Sequence, residues 1–128
     1  MLILSNDTWR YLISGVILLH GLGHVGGPWF FGRSWLAPSL GEGAVRWVFI
    51  GLWLVAMLGF LAAGIGILLQ GTWWRTLAIA AAAISLPVTV LFLGGVAAPN
   101  KLACVVVDVT ILVALLWVHW PSAEVIGA

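Results

Sequence analysis

Charged residues are scarce in this sequence. Of its 128 residues, five are Lys or Arg and four are Asp or Glu, so 7% of the chain is charged, against about 25% in soluble proteins. A soluble fold of this size could not cover its surface with so few charges, so we expect an integral membrane protein. The formal net charge of +1 gives no electrostatic basis for binding nucleic acid.

Cysteine is almost absent, because Cys104 is the only one in the chain. A single thiol excludes an internal disulfide, a CxxC redox pair, a zinc site made only of cysteines and a self-contained iron–sulfur cluster. No nucleotide-binding loop and no nucleophile–base–acid triad is recognisable. The sequence therefore gives no support for a stand-alone enzyme.

Apolar residues make up 63% of the chain, and the few charges divide them into four long runs. A bilayer core of about 30 Å needs about 20 helical residues, which each run supplies. Backbone groups in hydrocarbon must be hydrogen-bonded internally, which favours helices over strands. We predict an all-α fold, one domain over residues 1–128, in which four transmembrane helices form an up-down bundle. The predicted helices lie near 9–27, 45–69, 74–96 and 100–120.

The connections support this map. The glycines and proline at 26–28 end the first helix, and the short turn at 70–72 makes the second and third helices antiparallel neighbours. The longest connection, 28–44, is rich in aromatic residues, and we expect it to lie at the membrane interface as a lid or docking segment, with Glu42 as an extra acid. The basic residues are too evenly divided between the two sides to decide the orientation.

Two polar pairs stand out in the predicted helices. His20 and His24 are four residues apart on the first helix, and Cys104 and Asp108 are four apart on the last, so each pair lies on one helix face. At a rise of 1.5 Å per residue, both pairs reach roughly 5 and 10 Å below the same end of the bundle. We therefore predict that the two pairs meet inside the bundle.

This set of residues is suited to binding a cofactor. Two imidazoles one helical turn apart can bind one metal ion, Cys104 can add a thiolate, and Asp108 can be a ligand or can orient a histidine. The predicted metal ligands are therefore His20, His24, Cys104 and Asp108, and zinc or copper suits them better than magnesium or calcium. His20, His24 and Asp108 also suit a haem with one axial histidine or a His–Asp proton relay.

Each of these residues also has a simpler interpretation. The two histidines can pack at a helix end and extend to the lipid headgroups, and Cys104 can be a small buried apolar residue. Asp108 differs, because a carboxylate in the middle of a membrane helix costs roughly 2.5–3.5 kcal/mol and needs a partner. A structural partner can be His20, Thr89 or a backbone group of the second helix. We expect His20, within about 2.7–3.2 Å or joined through one water or metal ion. His119 falls at the opposite membrane face, as an interfacial residue.

The sequence Leu-Leu-His-Gly-Leu-Gly-His-Val-Gly-Gly, at residues 18–27, resembles the first helix of a group of small, functionally uncharacterised bacterial four-helix membrane proteins. The resemblance covers the first helix and, more loosely, the four-helix layout. It implies a multi-pass protein of the bacterial inner (cytoplasmic) membrane. The resemblance does not imply any particular activity.

Three functions follow from these features. The first is a small membrane subunit with a metal or haem site, which serves a larger electron-transfer complex. The second is an accessory or assembly subunit without a cofactor. The third is a proton-coupled transporter that uses Asp108 and that needs a dimer, because four helices enclose little space. The expected partners are the lipid bilayer and either other membrane subunits or a second copy of the chain.

Overall fold

The computed structural model describes residues 5–26, 41–92 and 98–126. These residues form an all-α bundle with four main helices. The last main helix continues into a π-helical segment, which is followed by one short helix. The elements are α1 (Asn6–Gly23), α2 (Glu42–Leu68), α3 (Trp74–Phe92), α4 (Ala98–Leu112), the π-segment (Val113–Val118) and α5 (Ala123–Ile126).

Two predicted boundaries differ from the structure for local reasons. The first helix begins at Asn6 because the hydroxyl of Ser5 accepts a hydrogen bond from the backbone N–H of Thr8, as an N-cap does. The predicted loop 28–44 is wrong at its end, because α2 already begins at Glu42. Glu42 is therefore an exposed first-turn residue of a helix, and its role beside a lid stays a prediction. Positions 28–40 of that loop lie outside the described residues.

Helix α2 is the centre of the bundle. Its buried apolar side chains recur every three or four positions and form one continuous stripe that packs against both α1 and α3. The apolar members of the stripe are Val45, Phe49, Trp53, Ala56, Phe60, Ala63 and Ile67.

Helices α1 and α2 run antiparallel and are joined by two buried hydrogen bonds. Ser14 donates through Oγ to the carbonyl oxygen of Gly64, at 2.9 Å. Nearly three turns further along α1, the indole of Trp53 donates to the carbonyl oxygen of His24. These two bonds fix how α1 is rotated toward α2.

Helices α2 and α3 approach closely at small residues, as membrane helices commonly do. A Cβ atom built on Gly59 would lie 2.9 Å from Cβ of Ala81. Ala81 is itself buried. The backbones are therefore as close as this pair of residues allows.

The sequence predicts that polar pairs of the first and last helices meet inside the bundle. In the structure these two helices are in contact over only part of their length. Helix α4 packs mainly on α3, and an apolar groove with a volume of about 270 Å³ lies between α1 and α4. The two helices meet at one end of this groove through the side chains of His20 and Asp108. At the other end, the amide of Asn6, in the first turn of α1, donates to the carbonyl oxygen of Glu124 in α5.

Three helical stretches are long and apolar enough to cross a membrane, whereas the sequence predicts four. They are Glu42–Leu68, Trp74–Leu91 and Pro99–Val118. Helix α1 is not among them, because its first turns carry Asn6, Asp7 and Arg10. Asp7 and Arg10 form an ion pair at 2.7 Å there. The described residues thus contain three candidate spans, together with α1, which is more polar and packs on α2.

Candidate metal centre

Three polar pairs converge inside the bundle, one each from α1, α3 and α4. The members of each pair are four residues apart and lie on one helix face. His24, Ser85, Thr89 and Asp108 are buried, and His20 and Cys104 are half-buried. The pairs are His20 with His24, Ser85 with Thr89, and Cys104 with Asp108.

The end of α1 determines the position of His24. The helix tightens into a 3₁₀ turn at residues 24–26, and the backbone N–H of His24 bonds to the carbonyls of Gly21 and Leu22. The carbonyl oxygen of His20 is therefore free to accept from Nδ1 of the His24 ring, at 2.9 Å. Because a carbonyl only accepts, the neutral His24 ring carries its proton on Nδ1 and has a lone pair on Nε2.

Nε2 of His24 lies 3.0 Å from the hydroxyl oxygen of Ser85. In the neutral ring that nitrogen accepts, so the Ser85 hydroxyl donates. This bond joins α1 to α3. It also marks the direction in which His24 offers its lone pair.

His20 pairs with Asp108, which confirms the predicted contact between α1 and α4. Nε2 of His20 lies 2.8 Å from Oδ1 of Asp108, and the Asp108 side chain is 0% exposed. An ionised carboxylate only accepts, so it holds the His20 proton on Nε2. Nδ1 of His20 makes no hydrogen bond with a residue of the described ranges.

Cys104 lies between the two other pairs. Its Sγ is 3.3 Å from Oγ1 of Thr89, 3.9 Å from Oγ of Ser85 and 3.8 Å from Oδ2 of Asp108. The thiol thus links Asp108 to the hydroxyls of α3, and through Ser85 to His24.

Three of the four predicted metal ligands come together as a group. One ring nitrogen of His20, one of His24 and Sγ of Cys104 lie within 4.8 Å of one another. Asp108 is beside this group, where it orients His20. Each histidine bonds through one ring nitrogen to an oxygen acceptor, which is the usual arrangement of metal-binding histidines. That these residues bind a metal stays a prediction.

Helix α2 supplies the apolar wall of the site. The ring centroids of His24 and Trp53 are 4.4 Å apart, and those of His20 and Phe60 are 4.7 Å apart. These aromatic rings pack directly against both imidazoles and keep water away from them. The predicted haem finds no support among the described residues, where the rings of α2 and Ser85 already occupy the surroundings of the histidines.

The sequence did not point to Ser85 or Trp53 as members of the site. The spacing of Ser85 and Thr89 repeats the four-residue spacing of the other two pairs, and that repetition was the available signal. Trp53 carries no such signal, because an indole inside an apolar helix has no distinguishing neighbour. The alternative in which His24 extends to the headgroups is wrong, since His24 is only 2% exposed.

Comparison of the chain with protein-family models, with curated proteins and with solved structures finds no match. The function therefore rests on the chemistry of the residues themselves.

Proposed function

We propose that this chain is an integral membrane protein that binds one transition-metal ion through His20, His24 and Cys104. The observation that carries the proposal is the grouping of three ligand atoms within 4.8 Å. They come from two helices that are some 80 residues apart in the sequence. Ligands of one tetrahedral zinc ion lie roughly 3.5 Å apart, so small side-chain rotations bring these atoms into place.

The donor set favours zinc or copper(I), because sulfur and imidazole are softer ligands than the oxygens that magnesium and calcium prefer. Zinc(II) fits the charges best. A Cys104 thiolate and the Asp108 carboxylate together balance two positive charges, and no Lys or Arg of the described ranges pairs with either. A neutral cluster is the least costly one inside an apolar bundle.

All four main helices cross the bilayer in this proposal. The three candidate spans support it, and so does the packing of α1 along α2 from Ser14 to His24. Membership in a larger membrane complex is supported by α4, because only 11% of the stretch Pro99–Val118 is buried. An electron-transfer role and a bacterial inner-membrane location stay predictions.

Metal binding is tested on the full chain purified in detergent, incubated with zinc and then separately with copper(I), and passed through a desalting column. We expect one ion per chain, and an affinity at least about tenfold lower in His20→Ala, His24→Ala and Cys104→Ser. His119→Asn is the matched control, because it removes a histidine that lies outside the site. A wild-type chain that retains no more metal than these three variants would overturn the proposal.

The same polar groups favour one alternative, proton-coupled transport through Asp108. A continuous set of hydrogen-bonding groups joins His20, Asp108 and Cys104 to the hydroxyls of α3. This alternative predicts proton flux into vesicles that contain the chain, and loss of that flux in Asp108→Asn. A chain that binds zinc and carries no protons separates the two functions. A cofactor-free accessory subunit predicts neither result.

A further inference from the structure

A second cluster lies at the opposite end of the bundle, where α4 becomes the π-segment. The wider helical turn leaves carbonyl groups without their usual partner, and the guanidinium of Arg75 donates to the carbonyl oxygen of Leu115. The backbone N–H of Trp120 bonds to the carbonyl of Ala114. Arg75 on α3 is thus fixed to the end of the π-segment.

Arg75 also contacts His119. Its Nη2 lies 3.2 Å from Nδ1 of His119, and since a guanidinium only donates, Nδ1 accepts and the neutral ring carries its proton on Nε2. Within the described ranges no carboxylate lies within ion-pair distance of Arg75. Arg75 and His119 therefore offer hydrogen-bond donors and a positive charge that no acidic group in the described part of the chain neutralises.

The groove between α1 and α4 ends at this cluster. Three tryptophans line its outer part, and branched apolar residues line its inner part as far as Ile17 and Ile111. Ile17 and Ile111 are each one helical turn from His20 and Asp108, so the metal centre lies beyond the inner end. The tryptophans are Trp9, Trp74 and Trp120.

The donors of Arg75 and His119 lie beside the outer end of the groove and are not among its lining residues. Leu115 lines the groove, and its carbonyl oxygen accepts from Arg75. Trp74 and Trp120 also line it, and they are the sequence neighbours of Arg75 and His119. An apolar groove and a cationic donor group thus lie side by side, next to tryptophans of the kind that occur at a membrane interface.

We propose that this groove binds an anionic phospholipid, with one acyl chain between α1 and α4 and the phosphate at Arg75 and His119. From Trp9 to Ile17 the groove runs about 12 Å along α1, most of the roughly 15 Å thickness of one leaflet. The charge of Arg75 beside the outer end of the groove favours an anionic headgroup over the apolar surface of a partner helix.

The lipid is tested by purifying the full chain in mixed micelles of equal amounts of phosphatidylglycerol and phosphatidylcholine with the same acyl chains. Lipid that stays with the protein after gel filtration is measured by mass spectrometry. We expect about fivefold enrichment of phosphatidylglycerol, the preference that one basic residue gives near an anionic membrane surface. Arg75→Gln abolishes the enrichment, since Gln can still donate to Leu115 but carries no charge, and Arg75→Lys keeps it.

Two further variants test the position of the lipid. Ala114→Phe places a ring in the groove, which Ala114 lines, and lowers the retention of both lipids. Arg46→Gln, which removes an exposed cation of α2, changes nothing. Equal retention of the two lipids by the wild-type chain overturns the proposal. So does an unchanged enrichment in Arg75→Gln, an equal loss in Arg46→Gln, or unchanged retention in Ala114→Phe.

Discussion

Among single residues, His24 connects the most elements. Its ring bonds to the carbonyl of His20 on its own helix and to Ser85 on α3, and its carbonyl accepts from Trp53 on α2. These bonds also satisfy groups that the end of a helix otherwise leaves unpaired. A metal that binds Nε2 therefore meets a ring whose position is already fixed.

Ser85 competes with the metal for His24, because its hydroxyl occupies the Nε2 lone pair. Replacing Ser85 with Ala removes a hydrogen bond of about 1 kcal/mol that must break on metal binding. We expect zinc affinity to rise about fivefold in Ser85→Ala, measured by competition with a chelator of known affinity. Thr76→Ala, on an exposed position of the same helix, is the control. A lower zinc affinity in Ser85→Ala would mean that the serine helps to hold the ion.

Asp108 acts on the metal through His20. Asp108→Asn keeps a hydrogen-bond acceptor for Nε2 of His20 but removes the charge, so we expect zinc affinity to fall about 10–100-fold. Asp108→Ala also leaves the imidazole without its partner and lowers the free energy of unfolding by about 1–3 kcal/mol, measured by denaturation in mixed micelles. The control is Thr110→Val. The hydroxyl of Thr110 donates to the carbonyl oxygen of Val106 on its own helix, so this variant should change neither quantity. Wild-type affinity in Asp108→Asn would contradict the role of the carboxylate.

Among the helices, α2 and α3 pack closely where Gly59 faces Ala81. In Gly59→Ala the new methyl group meets Cβ of Ala81 at 2.9 Å, and neither atom can rotate away. We expect a loss of about 1–3 kcal/mol in the free energy of unfolding. Gly51→Ala is the control on the same helix, because nothing lies within 4 Å of a Cβ there.

Exchanging the two residues tests the cause of this loss. Gly59→Ala combined with Ala81→Gly moves the methyl group to the other helix and restores the space between the backbones. The double variant should be more stable than Gly59→Ala alone, despite the cost of about 1 kcal/mol for a glycine inside a helix. A double variant that loses the sum of the two single effects would show that the contact at Gly59 is not the reason.

The sequence alone predicts that these helices exist, and it predicts one of the contacts between them. Counting 1.5 Å per residue from two helix ends brought His20 and Asp108 to the same depth, and their contact is confirmed at 2.8 Å. Ser85 was not singled out, because a serine in a membrane helix commonly bonds to its own backbone. The start of α2 at Glu42 was missed because Gly41 and Gly43 on either side favour a loop.

The rotation of each helix about its axis could not be predicted. Helix α2 is apolar on all sides, so its sequence does not distinguish the face that meets α1 from the face that meets lipid. Trp53 and Phe60 therefore resemble lipid-facing residues until Gly21 and His24 are placed against them. The 3₁₀ turn that orients the His24 ring is also a local deviation from α-helical geometry, and the spacing of apolar residues does not predict it.

At the scale of the whole chain, the membrane topology depends on whether α1 crosses the bilayer. If α1 crosses the bilayer, Ser5 lies on the same side as Thr72 in the turn between α2 and α3, and Asn100 lies on the opposite side. Single cysteines at these positions in a Cys104→Ser chain, labelled in sealed vesicles with a membrane-impermeant maleimide, test this arrangement. We expect Ser5→Cys and Thr72→Cys to label together. Labelling of Ser5→Cys together with Asn100→Cys would show that α1 does not span.

The most direct test of the metal centre is the X-ray absorption spectrum of the zinc-loaded chain in detergent. The proposal predicts one sulfur ligand at about 2.3 Å and at least two imidazole nitrogens at about 2.0–2.1 Å. Cys104→Ser should lose the sulfur contribution, and His119→Asn should leave the spectrum unchanged. A zinc shell of nitrogen and oxygen alone in the wild-type chain would contradict a centre built from His20, His24 and Cys104.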